Sequence, residues 1–469
     1  MPSKGIDCYS YIGAEGCQIH FSVPGQNLVK NQLKQYVKDH LEVDKHNIEG
    51  IFDFTGDFSF KVLFNGNQIT RQSVEVNALT GTLGKSTMTN MENQTSIVTK
   101  DHIVCYGFYD SGPGVAGLPS SDQCYVTVTP NHSNWQGHVA PPGSPQAAKP
   151  FAKLFLPAAH DIGMNAMQTC NALLASSALV EVLTKINPVF SKVVGTMSHA
   201  AARAMAPAII SGLAITQKDT LPTILSTGAR YFEFRPAYLH KDIRGNAALP
   251  DTLYFSHSAI PGMAYEVFLR DVVSFLMAHP SEIVVVQNRG DGVPGDCHRP
   301  TDPELLAFLK NALSAAHGSI VGGSLEDIRN LTIQQLRDQK KRLVVGANWD
   351  SFSTYTDQGN ATVNGKSILA EFEQLSSSPQ KSAGKPFSNL QCQATATNLP
   401  EVVAYSVIAA NTSNSCLLAT KPICDSKTLL WLKNNGGRLD ANQLQVVMND
   451  FFDGATADIC VDWSRRRLA

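Results

Sequence analysis

The chain has 469 residues, 38 Lys and Arg against 40 Asp and Glu, and a formal net charge of −2. The length allows two or three domains and a sizeable core, and the near-neutral balance excludes a nucleic-acid binder, which needs a basic face. No run of about 18 apolar residues is present to cross a membrane, and 17% charged residues with 34 Gly and 24 Pro suit a loop-rich soluble globular protein.

From the N-terminus, Met1-Pro2-Ser3-Lys4-Gly5 leads into polar residues, so no signal peptide is visible and a cytoplasmic protein is one expectation. Five Asn-x-Ser/Thr sequons, at Asn93, Asn131, Asn330, Asn360 and Asn411, support the other, a secreted protein with its leader removed. The first 140 residues read as a small β-rich domain of unknown role. Its candidate strands are Cys17–Val23, Ile51–Phe54, Phe58–Phe64, Ser73–Leu79, Ile103–Tyr109 and Cys124–Thr129, rich in β-branched and aromatic residues. Between the first two, the spacing of Leu28, Leu33, Tyr36, Val37 and Leu41 predicts a helix over Asn27–Val43. None of the ten cysteines forms a CxxC pair or a zinc-type Cys/His spacing, so no thiolate metal site is expected.

Residues 136–150 hold four prolines and two glycines and mark a boundary. Beyond it, over 141–469, short apolar strands alternate with longer helical stretches. The candidate strands are Lys153–Ala158, Tyr231–Arg235, Thr252–Ser256, Glu282–Gln287, Arg342–Ala347, Leu390–Ala394 and Leu444–Asp450. Ala264–Ala278 and Asp302–Ala316 read as helices. Buried strands separated by helices make βαβ units. The fold class is therefore α/β: an irregular TIM-like (β/α) barrel preceded by the small β-rich domain, with chemistry at the C-terminal ends of the strands.

Polar residues sit where those strands run out. The first candidate ends in His160-Asp161. The second places Glu233 and Arg235 two apart, on one face. The third ends in His257 and the last in Asp450. A single histidine after an apolar strand is more often a satisfied structural residue, and Asp450 alone could cap a following helix. Together, on four strand ends that a barrel brings to one rim, they make a candidate site.

His160-Asp161, then Gly228-Ala229-Arg230-Tyr231-Phe232-Glu233-Phe234-Arg235-Pro236, then His257 after an apolar strand, resemble the X-region of phosphatidylinositol-specific phospholipases C. The resemblance runs through Pro280–Asn288 to Val447–Phe452, covers about residues 150–455, and is greatest for the bacterial-type and fungal phosphodiesterases of this kind. It implies an enzyme that cleaves phosphatidylinositol-type lipids by attack of a neighbouring hydroxyl, releasing a cyclic inositol phosphate. It also implies that His160 is the base, His257 the acid, Arg235 the phosphate holder, Asp450 the partner of His160 and Asp161 an assistant at the leaving group. Glu233 would position Arg235 or touch the acid. Asn288 stands where the bacterial enzymes carry Lys, with Arg289 as its substitute, and Trp349 lines the pocket or plugs the barrel mouth.

Calcium-dependent relatives and glycerophosphodiester phosphodiesterases have Glu-x-Asp where this chain has Glu233-x-Arg235. A cation in place of a ligand repels a metal and supplies the charge itself, so a metal-independent reaction with no cofactor is expected. The expected partners are a phospholipid or inositol-phosphate substrate and a transient contact with a membrane surface. The Ala-rich stretch Cys170–Thr216 is a helical lid or lipid-facing surface, or helices on the outside of the barrel broken by Pro188 and Pro207. From other classes, the alternatives are a catalytically weak protein that binds lipid or head groups, with the β-rich domain as effector, and a metal-dependent phosphodiesterase or sphingomyelinase-type enzyme, which Arg235 disfavours.

Overall fold

The computed structural model describes the chain apart from residues 1–4, 89–94, 166, 175, 178, 185–190, 193, 246–248, 379–381 and 410–414. The sequons at Asn93 and Asn411, the residues Met1–Lys4 and Pro188 lie outside the described residues. The first ten strands are β1 (Gly5–Ile12), β2 (Cys17–Val23), β3 (Gln26–Lys30), β4 (Tyr36–Glu42), β5 (Thr55–Phe64), β6 (Asn67–Asn77), β7 (Leu83–Ser86), β8 (Ile97–Val98), β9 (His102–Tyr109) and β10 (Asp122–Pro130). They form two five-stranded sheets, ordered β4-β1-β10-β9-β8 and β3-β2-β5-β6-β7. In β2 every second residue (Cys17, Ile19, Phe21, Val23) is buried, the period of a strand with one face on a core. Phe21, Phe58, Phe60, Tyr106 and Phe108 fill the space between the sheets.

The helix expected over Asn27–Val43 is instead β3 and β4. Lys34, in the left-handed region at φ +56°, interrupts the segment, and each half finds a backbone partner, β3 on β2 and β4 on β1. Edge pairing overrides the apolar spacing here. Ile51–Phe54 is not a strand: Ile51 and Phe52 are 83% and 89% exposed in a bend with no ladder beside it. β9 and β10 are buried on both faces, because one side meets the second sheet and the other meets helix Gly454–Leu468.

The remaining strands are β11 (Phe155–Ala159), β12 (Tyr231–Phe234), β13 (Pro236–Ala237), β14 (Tyr254–His257), β15 (Ile260–Ala264), β16 (Val284–Asn288), β17 (Gly322–Gly323), β18 (Leu343–Ala347), β19 (Phe352–Ser353), β20 (Phe387–Gln391) and β21 (Leu444–Asn449). Eight of them form one all-parallel sheet, β17-β18-β16-β12-β11-β21-β20-β19. The last long strand, β21, pairs with the first, β11, as a barrel requires. Among the described residues the edges β17 and β19 do not pair, so the barrel is open there.

The strand expected at Thr252–Ser256 belongs elsewhere. β14 lies antiparallel between β13 and β15 in a separate three-stranded sheet. A parallel strand needs a long crossover, usually a helix, and no helix lies in the described part of 238–253, which loops back so that β14 returns antiparallel. Helix Tyr265–Ala278 buries Phe268, Leu269, Val272, Val273 and Leu276. Helix Asp302–Ser314 starts from a Thr301/Glu304 capping box. Pro207 does not break its segment: helix His199–Leu213 runs through it, held by the buried Ala202, Ala206, Ile209 and Ile210.

Polar contacts join the first sheets to the large one. Tyr11 Oη donates to Asp458 Oδ2 at 2.7 Å. Ser96 donates its backbone N–H and its hydroxyl to the two Asp219 oxygens, both at 2.6 Å. Arg230, fully buried at the start of β12, reaches the Ser133 carbonyl at 2.7 Å and the His132 carbonyl at 3.2 Å.

Candidate active site

Parallel pairing of β11 and β21 sets Ala159 opposite Asn449, and the His160 N–H continues the ladder to the Asn449 carbonyl at 3.0 Å. The next residue on each chain is therefore brought together: His160 Nδ1 lies 2.7 Å from Asp450 Oδ1. Asp450 is not a helix cap, since Asp453 caps helix Gly454–Leu468. Arg235 is the joint between β12 and β13, and its carbonyl accepts from the Ser256 N–H at 2.9 Å. That bond seats the β14 hairpin, which ends in His257, against the end of β12.

Asp161 sits at the centre of the group. Its Oδ1 is 2.9 Å from Arg235 Nη1 and 3.7 Å from His160 Nε2, and its Oδ2 is 3.6 Å from His257 Nε2. These four side chains line a cavity of about 470 Å³ with Glu233 and Arg289, and Tyr355, Asp357, Gln391 and Asn398 form other parts of its wall. Arg235 Nε and His257 Nδ1 are buried without a hydrogen-bond partner.

The two histidines carry opposite electrostatic loads. Burial alone would lower His160, but the carboxylates of Asp161 and Asp450 outweigh it and raise it to about 9. His257 has no such pair, and burial, with Arg235 and His160 nearby, lowers it to about 4 against the pull of Asp161. Asp161 would be raised by burial, but Arg235 and both histidines hold it down to about 2. Between about 4 and about 9 the pair therefore holds one proton, on His160.

The substrate-contact residues expected from the sequence divide. Glu233 and Arg289 line the cavity and pair with each other at 3.1 Å. Glu233 also accepts from Asn389 at 3.3 Å, so it braces Arg289 rather than Arg235. Asn288 is off the lining: buried, it donates to Tyr265 Oη at 2.8 Å. Trp349 is also off the lining, its ring edge-on to Phe387 and stacked over Gly346, where a Cβ would come within 2.1 Å of the indole nitrogen.

The sequence reading missed the residues that hold the rim. Buried Gln217 donates to the His160 carbonyl at 2.8 Å and the Asn449 carbonyl at 3.1 Å, and accepts from the Phe452 N–H at 2.8 Å. It joins both halves of the His160–Asp450 pair through main chain alone, with no periodicity or motif to reveal it. Three non-glycine residues in left-handed backbone stand at this rim: Asp161 (φ +44°), Ser258 (φ +54°) and Phe451 (φ +42°). Each follows directly on His160, His257 or Asp450, so the chain turns sharply just past these three side chains.

Gly163 holds the two histidine segments close. Its carbonyl accepts from the Met263 N–H at 2.9 Å, and a Cβ at Gly163 would lie 2.1 Å from Phe255 Cβ. Gly163→Ala therefore pushes the His160 loop off the β14 hairpin. It is expected to lower kcat by about 10²-fold, the effect of misplacing catalytic groups by about an ångström. The urea midpoint should fall modestly, and a wild-type kcat in this variant would refute the close-packing account.

Asp450→Asn tests the His160 partner. The free site implies a kcat/KM profile with limbs near 4, from His257, and near 9, from His160. Asparagine keeps the shape but removes the charge, so His160 falls towards the ordinary value of about 6.5. The upper limb should move to lower pH while the lower limb stays, with turnover down about 10²-fold. An unchanged profile would remove Asp450 from the site.

No protein-family model and no curated protein matches this sequence. Solved structures do. The phosphatidylinositol-specific phospholipase C of Listeria monocytogenes is 12% identical, with a TM-score of 0.38 over 71% of this chain and 98% of that one. Two structures of the Staphylococcus aureus phosphatidylinositol-specific phospholipase C are similar. One incorporates pentafluoro-Phe (12% identical, TM-score 0.42, 70% of this chain and 98% of that). The other comes from work on modulating its membrane binding (13%, 0.41, 71% and 97%). Superpositions this loose leave the assignment to the side chains themselves.

Proposed function

We propose that this chain is a metal-independent phosphodiesterase that cleaves phosphatidylinositol-type lipids by attack of the neighbouring inositol hydroxyl. One observation carries the reading: Asp161 lies between Arg235 and the Nε2 atoms of both histidines, with Asp450 behind His160. Two imidazoles sharing one proton beside an arginine are the groups an internal phosphoryl transfer needs.

In the proposed reaction Arg235 holds the phosphodiester through its planar fork. The hydroxyl oxygen attacks phosphorus, its proton passes to His160, and the bond to the diacylglycerol oxygen breaks as His257 protonates that oxygen. The products are a cyclic phosphodiester and the free alcohol. The free site holds its proton on His160. A bound phosphodiester anion beside His257 raises that ring and so draws a proton to the acid, while Asp161, 3.7 and 3.6 Å from the two Nε2 atoms, stabilises either charged form. Asp450 fixes the tautomer of His160 so that Nε2 faces the substrate.

The metal-free reading rests on charge partners. Glu233 is engaged by Arg289, and Asp161 by Arg235. The carboxylates that would bind a cation at the phosphate already have guanidinium partners. In this reading residues 1–140 brace the 141–469 unit, since Ser96 holds Asp219 two residues from Gln217, and the lipid is taken from a membrane by transient contact.

The test is a panel of phosphodiesters assayed in excess EDTA at 25 °C, with phosphorus NMR of the product. The expected result is a cyclic inositol phosphate formed at an undiminished rate. Activity lost to EDTA and restored by one divalent ion would overturn the metal-free mechanism, and an acyclic phosphate as first product would overturn internal attack.

A further inference from the structure

A second group of ligand-type side chains shares no residue with the phosphate pocket: Glu181, His240 and Asp296. They come from three separated segments. Glu181 lies on helix Leu179–Thr184, His240 three residues past β13, and Asp296 beside Cys297. His240 and Cys297 form an antiparallel bridge, and the Lys241 N–H donates to the Asp296 carbonyl at 3.0 Å, so the backbone sets His240 and Asp296 side by side.

His240 is 1% exposed, and its Nε2 has no hydrogen-bond partner. A buried polar atom left unmet is uncommon and calls for an explanation. That nitrogen faces two carboxylates, with Glu181 Oε1 and Asp296 Oδ2 each 3.9 Å away. The three ligand atoms lie within 4.8 Å of one another. On its other side, Nδ1 accepts a long hydrogen bond of 3.4 Å from the Asp242 backbone N–H and lies 3.6 Å from Asp242 Oδ2.

We propose that Glu181, His240 and Asp296 hold a divalent transition-metal cation of the zinc type, with water completing the coordination. One imidazole and two carboxylates suit zinc, whereas calcium and magnesium favour all-oxygen shells. Ligand atoms around a tetrahedral zinc stand about 3.3 Å apart, so the 3.9 Å gaps close by a small inward swing. The carboxylates can make it, since the Glu181 and Asp296 side chains are 49% and 31% exposed while His240 is fixed. A metal at Nε2 requires the proton on Nδ1, so on binding the long bond from the Asp242 N–H gives way and the Asp242 carboxylate, 3.6 Å off, accepts the Nδ1–H, as carboxylates behind metal-bound histidines do. Lys241 holds the other Asp296 oxygen at 2.9 Å; its side chain is 62% exposed and can stay there or swing into water. Bound there, the cation clasps helix Leu179–Thr184 to the chain flanking the hairpin that carries His257, away from the phosphate chemistry.

The experiment uses the full chain, stripped with chelator, and zinc chloride as the probe. Calorimetric titration is expected to show one equivalent bound, with a Tm that rises with zinc concentration. Glu181→Gln, at an exposed position, and His240→Gln should each weaken zinc binding by at least about 100-fold, and Asp242→Asn by about 10–100-fold. His160→Ala should bind as the wild type does, and catalytic turnover at 25 °C should not depend on zinc. No binding at millimolar zinc would overturn the site. So would binding that survives Glu181→Gln unchanged, or binding abolished by His160→Ala.

Discussion

His160→Ala and His257→Ala are each expected to lower turnover of a phosphatidylinositol-type substrate by about 10²–10⁴-fold, the range for a lost acid or base. The fold should survive both changes. The two rings are partly exposed to the cavity, and the rim around His160 is tied by main chain, through its N–H to Asn449 and its carbonyl to Gln217. The variants should differ with the leaving group. A substrate whose leaving oxygen is a good anion needs no acid, so His257→Ala recovers part of its rate on it and His160→Ala does not. The double variant should be little worse than the poorer single, because the two rings pass protons within one event. Steady-state kinetics on a lipid and on an activated ester, with circular dichroism as the folding control, decide the matter. Near wild-type activity in either single variant removes that histidine from the reaction.

Arg230→Met is expected to cost the protein about 3–5 kcal/mol of stability, the usual consequence of removing one member of a buried ion pair. Arg230 and Glu282 are both 0% exposed, and Arg230 Nε meets Glu282 Oε2 at 2.8 Å. The guanidinium also donates to the carbonyls of Leu225, Ala229, His132 and Ser133. Methionine fills much of the space but leaves Glu282 charged and buried without its ion-pair partner, held by the Gln136 and Gly137 N–H groups and by the more distant charges of Arg337 and Arg342. Replacing both, Arg230→Met with Glu282→Leu, removes the orphan charge and should recover a large part of the loss. Urea denaturation of the single and double variants checks this. A single variant within about 1 kcal/mol of wild type, below the buried-pair range, would show that the carbonyl network does not depend on the guanidinium.

Strands whose burial is uniform were readable from apolar runs alone: β11, β12, β16 and β21 all fall where short hydrophobic stretches predict them. Candidate site residues at the ends of such runs were readable for the same reason, because one polar residue after several apolar ones is a local signal. His160, Asp161, Arg235, His257 and Asp450 come together on that basis. What failed depended on partners remote in sequence. β3 and β4 exist because β2 and β1 offer edges, and no helical periodicity can announce an edge. The direction of β14 follows from the connection before it, not from its own composition. Asn288 and Trp349 sit at strand ends like the true lining residues, yet turn into Tyr265 and Gly346. Gln217 acts only on carbonyls and an N–H, which leave no trace in residue type.

The left-handed turns after His160, His257 and Asp450 bear on how this rim can change. A non-glycine residue there has backbone energy about 1–2 kcal/mol above the ordinary right-handed state, so surrounding contacts must hold it against relaxation. Ser258 shows how: the Ser256 hydroxyl donates to its carbonyl inside the hairpin tip. Glycine at 258 would relieve the local strain while giving the tip more freedom in the unfolded and open states, and a β-branched residue would resist the turn. Either change removes only the Ser258 side chain from the cavity wall and leaves His160, Asp161, Arg235 and His257 in place, yet both shift where His257 points. The reacting groups can thus stay constant while their activity drifts, through a turn residue that takes no part in the proton transfers.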